Sequence, residues 1–205
     1  MILGLTGGIA SGKSFVADSF VACGASLVSA DHLAREVVNQ GSPTLGKLVD
    51  AFGLEILTAG GSLNRELMAQ KVFSDPLARH RLELITHPAI AHLAECRLLE
   101  LKKSPHDLIV YEAPLLFEAG AESRVDQILV VVIDPALQVE RLLKRDGISE
   151  AEAKQRVAAQ CPQADKVQKA DFVIDNSGSL EQTRHAVTSL YHYLVGTVGS
   201  ESSRP

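Results

Sequence analysis

The stretch L-T-G-G-I-A-S-G-K-S-F, residues 5–15, lies near the start of a 205-residue chain and decides how the rest is read. Within it, Gly7-x-x-x-x-Gly12-Lys13-Ser14 has the spacing of a phosphate-binding loop. Glycines let the backbone curl so that successive N–H groups converge on phosphate oxygens. The helix that starts at residue 13 adds its partial positive charge at the same place. Lys13 has the length to reach β- and γ-phosphates, and the Ser14 hydroxyl suits Mg²⁺. Gly8, Ile9, Ala10, Ser11, Gly12, Lys13, Ser14 and Phe15 are therefore the candidate nucleotide-binding residues, and Ser14 is the candidate metal ligand.

The flanks fit this reading. Residues 1–6 are an apolar run suited to a buried strand, and 13–23 carry helical spacing, with Gly24 as a stop. Residues 25–30 read as a second strand, and Asp31 stands where it can cap a helix over 33–39. From Gly41 the texture turns helical, over 43–52, 65–73, 76–86 and 88–103, with a turn at Gly60-Gly61-Ser62. Strands resume after Ser104-Pro105, at 108–112 and 128–133. Both lack polar alternation, as expected when both sheet faces are covered. Charged helices at 136–145 and 150–160, a strand at 172–174, a helix at 180–195 and a fraying tail at 199–205 complete the chain. The expectation is an α/β fold of one domain over 1–205, in three layers around a five-stranded parallel sheet. Its core takes 1–40, 105–140 and 165–198, with a helical insertion over 41–104 and a lid over 141–164.

Hydrophobic residues make up 46% and charged residues 22%, and the net charge is −5, so no nucleic-acid or anionic-membrane partner is expected. Cys23, Cys96 and Cys161 are too scattered for a disulfide framework or a structural zinc site. They read as small buried apolar residues in a reducing compartment. Residues 128–133, the longest apolar run, fall far short of a membrane span, and the first residues lack the features of a secretory signal, so a cytoplasmic protein is expected.

The class of reaction is carried by fewer residues. No N-K-x-D motif is present; Asp175-Asn176-Ser177-Gly178 lacks its lysine, which argues against a GTP-dependent switch. Asp134, at the end of an apolar strand, suits either a metal-organising carboxylate or a helix cap before Pro135. Asp31 follows the second strand at the edge where open α/β sheets bind ligands, so it suits a general base as well as a cap. Arg141 and Arg145 share one helical face, and Arg156, Lys166 and Lys169 follow. With Glu140, Asp146, Glu150 and Glu152 they form either a solvated helix pair or a basic lid that brings guanidinium groups to phosphoryl oxygens.

Taken together, the motifs resemble the dephospho-coenzyme A kinase family over nearly the whole chain. They are L-T-G-G-I-A-S-G-K-S (5–14), S-A-D-H-L-A-R (29–35), G-S-L-N-R-E-L (61–67), V-F-S-D (72–75) and L-E-L-I-T-H-P-A-I (82–90). They continue with E-A-P-L-L-F-E (112–118), R-L-L-K-R-D (141–146), R-V-A-A-Q (156–160) and A-D-F-V-I-D-N-S-G-S (170–179). The resemblance implies ATP-dependent phosphorylation of the ribose 3′-hydroxyl of dephospho-coenzyme A, with Mg²⁺, on a P-loop kinase core. It implies Asp31, Lys13 and Arg141 as catalytic residues, and Arg145, Asn176 and Gly178 beside ATP. Asp31, Arg35, Arg65 and His87 would hold the acceptor, in a monomer or weak homo-oligomer.

Three positions depart from the family pattern. Ala10 replaces a frequent glycine and is expected to be compatible only at negative φ. Phe15 removes a hydroxyl expected to meet the α-phosphate, at a cost of about 1 kcal/mol. Ser29 stands where a second acid is common. His87-Pro88 reads equally as a helix cap and as an acceptor contact. Two alternatives remain: a P-loop kinase of another small acceptor such as a nucleoside monophosphate, and a non-catalytic ATP-binding regulatory module.

Overall fold

Five strands form one parallel sheet in the computed structural model, which describes residues 1–73, 75–103 and 108–201. β1 (Ile2–Gly7), β2 (Ser26–Ser29), β3 (Ile109–Glu112), β4 (Gln127–Val132) and β5 (Phe172–Asp175) lie in the order β2-β3-β1-β4-β5. Leu5 of β1 stands beside Glu112 on one side and Leu129 on the other, and Ser29 stands beside Glu112. The expected five-stranded parallel sheet is present. β1 is buried along its whole length, which is why its sequence shows no polar alternation.

The helices are α1 (Lys13–Ala22), α2 (Ala30–Glu36), α3 (Pro43–Phe52), α4 (Arg65–Phe73), α5 (Pro76–Lys102), α6 (Pro135–Asp146), α7 (Glu150–Ala158), α8 (Gln163–Gln168) and α9 (Leu180–Glu201). The chain divides into two compact units, one of residues 1–29 with 98 onward and the other of residues 30–97. In the first, Val16 and Phe20 of α1 and Val187 and Leu194 of α9 share a core with Leu3, Leu5, Val110, Leu129 and Val131 of the sheet. Each large side chain buried there contributes roughly 1.5–3 kcal/mol, which holds the loop between β1 and α1 on a rigid base. In the second, α2 to α5 close around Val38, Leu48, Ile56 and Met68. Ser42 caps α3 by accepting from the Leu45 N–H at 3.1 Å, with Pro43 at the first helical position.

Several expectations are corrected. α2 begins at Ala30, directly after β2, so Asp31 sits in the first helical turn and does not cap a later helix. α5 runs unbroken through Pro88, so His87-Pro88 opens no helix. Leu82 and Ile85 before the proline, and Ile90 and Leu93 after it, pack against the same core. Their burial offsets the cost of an interior proline, about 3 kcal/mol. α8 was not foreseen, and α9 continues to Glu201 past the expected start of fraying at 199. The rest of that tail, 202–205, lies outside the described residues, as do Ser104, Pro105 and His106. The three cysteines are free but only half-buried, not the buried apolar residues expected. No helix among the described residues is long and apolar enough to cross a membrane.

Candidate active site

The connection leaving β1 runs toward β2 and that leaving β3 runs the other way toward β4, which opens a crevice at the carboxyl ends of these strands. The glycine-rich loop occupies that edge. Gly12 adopts φ 87° at the start of α1, and among the described residues no side chain caps the first-turn amides and no acid lies in that turn. Those N–H groups and the helix dipole suit an anion. The Lys13 ammonium folds back along the loop, donating to the Gly7 and Gly8 carbonyls at 3.1 and 2.9 Å.

The loop is gripped from outside by amide side chains. Gln138 Nε2 of α6 donates to the Ile9 carbonyl at 2.7 Å, and the Ile9 N–H donates to Gln160 Oε1 at 2.7 Å. Asn176 Nδ2, past the end of β5, donates to the Ser11 carbonyl at 2.7 Å, and its Oδ1 accepts from the Thr183 hydroxyl at 2.8 Å. Gln138, Asn176 and Thr183 are all buried. Their closeness explains two glycines: a Cβ on Gly8 would stand 2.7 Å from Gln138 Nε2, and one on Gly12 would collide with the Asn176 amide. Ala10 contradicts the expectation of a negative φ. It lies at φ 58°, the left-handed region, where an L-residue is disfavoured by roughly 1–2 kcal/mol.

The end of β3 supplies a residue that sequence reasoning missed. Glu112 is 9% exposed, and its Oε1 accepts from the exposed Ser14 hydroxyl at 3.4 Å. Two oxygen ligands side by side suit a hard cation such as Mg²⁺, which keeps several waters and uses few protein oxygens. The signal was present in E-A-P-L-L-F-E, where an acid ends a buried strand, but Asp134 drew attention instead. Asp134 is a helix cap, accepting from the N–H groups of Ala136 and Leu137 at 2.9 and 3.0 Å. The segment after Glu112 is tied down by Lys166 of α8, which is 1% exposed and pairs with Glu118 Oε1 at 3.0 Å. Lys166 is therefore a buried structural cation and no part of a mobile basic surface. Burial pushes the Glu118 carboxyl up, but backbone hydrogen bonding and the Lys166 ammonium outweigh it and hold the group below its ordinary range.

Arg141 and Arg145, though on one helix, face different partners. Arg141 Nη2 donates to the Asn176 carbonyl at 3.0 Å, and its Nη1 would lie 3.6 Å from a Cβ on Gly12, so its guanidinium stands at the loop. Arg145 pairs with Asp146 at 2.7 Å, and Arg156 shares that carboxylate at 2.9 Å. The Arg184 guanidinium of α9 lies 5.6 Å over the Phe15 ring. Gly178 is exposed in the turn before α9.

Asp31, Arg35, Arg65 and His87 all belong to the second unit and are exposed. Arg65 Nη2 donates to the Arg35 carbonyl at 3.3 Å, which draws these two arginines together. Beside Arg65 the unit holds a cavity of about 300 Å³, lined by apolar side chains such as Leu63, Met68, Leu82 and Ile90, with Thr86 adding a hydroxyl. His87 sits one residue along α5 from Thr86.

The family model described as "CoaE: Dephospho-CoA kinase" matches residues 1–182. The chain is 53% identical over 195 residues to the dephospho-CoA kinase of Syntrophotalea carbinolica, covering 95% of this chain and 92% of that one. It is 49% identical over 191 residues to the enzyme of the same name from Geobacter metallireducens, covering 93% and 95%. The solved dephospho-CoA kinase from Campylobacter jejuni superposes with a TM-score of 0.75 at 28% identity, over 96% of this chain and 98% of that one. A phosphate loop with Lys13, Ser14 and Glu112 at one sheet edge agrees with these similarities: the chain belongs to the dephospho-CoA kinase family.

Proposed function

We propose that this kinase transfers the γ-phosphoryl group of ATP to the ribose 3′-hydroxyl of dephospho-coenzyme A, giving coenzyme A and ADP in the cytoplasm. The observation that carries the reading is the pairing of Ser14 with Glu112 at the mouth of the loop, in a chain whose relatives bear that activity in their names. Phosphoryl transfer passes through a loose transition state whose charge spreads over the phosphoryl oxygens, so catalysis is mostly positioning and charge stabilisation. The loop from Gly8 to Phe15 holds the phosphate chain through its uncapped amides at the start of α1, since the Ile9 N–H is taken by Gln160, and Lys13 neutralises the β- and γ-phosphates. Arg141 stabilises charge on the group in transit, with Arg145 and the segment 141–164 acting as a lid that excludes water. Ser14 and Glu112 would hold Mg²⁺, which supplies Lewis-acid charge to the phosphate oxygens.

Asp31 orients the acceptor hydroxyl and takes its proton. Arg35, Arg65 and His87 hold the acceptor, Arg65 through its phosphate, with the apolar cavity beside it receiving the less polar arm. Asn176 serves ATP through the loop it clamps, and Gly178 leaves room at the base. The protein works as a monomer or a weak homo-oligomer.

The test offers dephospho-coenzyme A, AMP, CMP and shikimate in parallel with Mg-ATP and follows ADP release. Dephospho-coenzyme A should be turned over far faster than the rest. Faster turnover of another acceptor overturns the substrate assignment, and no acceptor-dependent ADP release overturns the kinase reading.

A further inference from the structure

Ala10 is the one residue other than glycine with positive φ among the described residues. Both its chain neighbours are held from outside the loop. Ile9 is gripped at its carbonyl by Gln138 and at its N–H by Gln160, each at 2.7 Å. Ser11 is gripped at its carbonyl by Asn176, also at 2.7 Å, and Thr183 locks the Asn176 amide by accepting no proton itself there but donating its own. Free alanine backbone avoids this region, because its Cβ crowds the following carbonyl. The loop itself holds the Ala10–Ser11 peptide, the Ser11 N–H donating to the Gly8 carbonyl at 3.2 Å, and contacts from outside fix the peptides around it against the roughly 1–2 kcal/mol that alanine loses in this conformation.

We propose that Gln138, Gln160 and Asn176 form a bracket that holds Ala10 in the left-handed conformation and so sets the shape of the phosphate loop. Gln160 is the positioning residue that joins the segment after α7 to that loop. The inference rests on the nucleotide-binding reading above. Gln138 holds the Ile9–Ala10 peptide itself, while Gln160 and Asn176 hold the next peptides out, Gly8–Ile9 and Ser11–Gly12; the phosphate is taken by the uncapped amides at the start of α1. Gln138 is 7% exposed and Asn176 1%, so both are built into the core, whereas Gln160 is only half-buried and arrives on a connecting segment. It is the arm of the bracket that a movement of α7 would carry away.

The experiment is a double-mutant cycle on the full chain: Q160A and Q138M, each with Ala10 in place and in the A10G background. ATP affinity is read by titration without acceptor, and KM and kcat by ADP release with it. With Ala10 in place, Q160A should weaken ATP binding and raise its KM about tenfold, with kcat changed less than about twofold. In the A10G background the same substitution should matter less than about twofold, because glycine holds that φ unaided. Q138M should follow the same pattern. Equal fold-changes in both backgrounds overturn the proposal, as does a loss confined to kcat.

Amide hydrogen exchange of residues 9–12 gives a readout independent of ATP. Q160A should speed exchange with Ala10 in place and much less with A10G, while Q160E, which keeps an acceptor oxygen, should restore slow exchange at Ile9. If the wild-type chain takes no ATP, the proposed function falls, and the exchange pattern alone then decides whether the bracket exists. Exchange that Q160A leaves unchanged overturns it.

Discussion

The Ser14 hydroxyl donates to the Glu112 carboxylate at 3.4 Å, joining the start of α1 to the end of β3. One residue opens the helix behind the phosphate loop, and the other ends a buried strand in register with Leu5 and Ser29. A carboxylate held in this way, by a strand and not by a flexible loop, suits a metal ion at the phosphates.

Glu112→Gln should therefore raise the Mg²⁺ concentration for half-maximal activity by about 10–100-fold, while ATP binding without metal changes little. The check is a Mg²⁺ titration of ADP release, beside an ATP titration in chelator. An unchanged Mg²⁺ dependence removes Glu112 from the metal site.

Asp31→Asn should lower kcat by about 10²–10⁴-fold and leave ATP affinity within a few-fold, as expected for loss of a general base. Steady-state kinetics with ATP titration separates the two effects. Unchanged kcat takes Asp31 out of the mechanism.

Arg141→Ala should reduce kcat by on the order of 10³-fold, the scale of an arginine that stabilises charge in phosphoryl transfer. Its other task is the hydrogen bond to the Asn176 carbonyl. A variant that loses thermal stability but keeps kcat assigns Arg141 to that bond alone.

Lys166→Met should cost about 3 kcal/mol, since it strands the Glu118 carboxylate beside an apolar side chain; the figure is at the low end because Glu118 is partly wet. Urea unfolding at neutral pH measures it. Because the folded pKa of Glu118 lies below its unfolded value, the pair stabilises the fold above the ordinary carboxylate range and that contribution is lost as pH falls through the folded value. Stability of the wild-type chain should therefore fall more steeply below about pH 4 than that of Glu118→Gln.

The architecture was legible because it depends on local patterns. The helices Pro43–Phe52 and Arg65–Phe73 coincide with the spacing read for them, and the strands fall within a residue or two of the apolar runs. Pro88 misled because a proline's local preference is weaker than burial of the apolar residues on both sides of it. Lys166 misled because a lysine in a charged stretch normally points to water, and only the distant Glu118 gives it a reason to be buried.

The candidate lysine, serine and glycines of the phosphate loop needed no fold to be singled out, since a curled backbone, a helix start and a long cation are dictated by residues adjacent in sequence. Glu112 against Ser14, Gln138 and Gln160 against Ile9, and Arg141 against Asn176 are pairs far apart in the chain. The left-handed turn at Ala10 belongs with them: its own side chain argues against that conformation, and contacts arriving from α6, the segment after α7 and the end of β5 decide it. Sequence carries the preferences of neighbours, whereas a conformation set against those preferences is decided by packing and hydrogen bonds that exist only once the chain has folded.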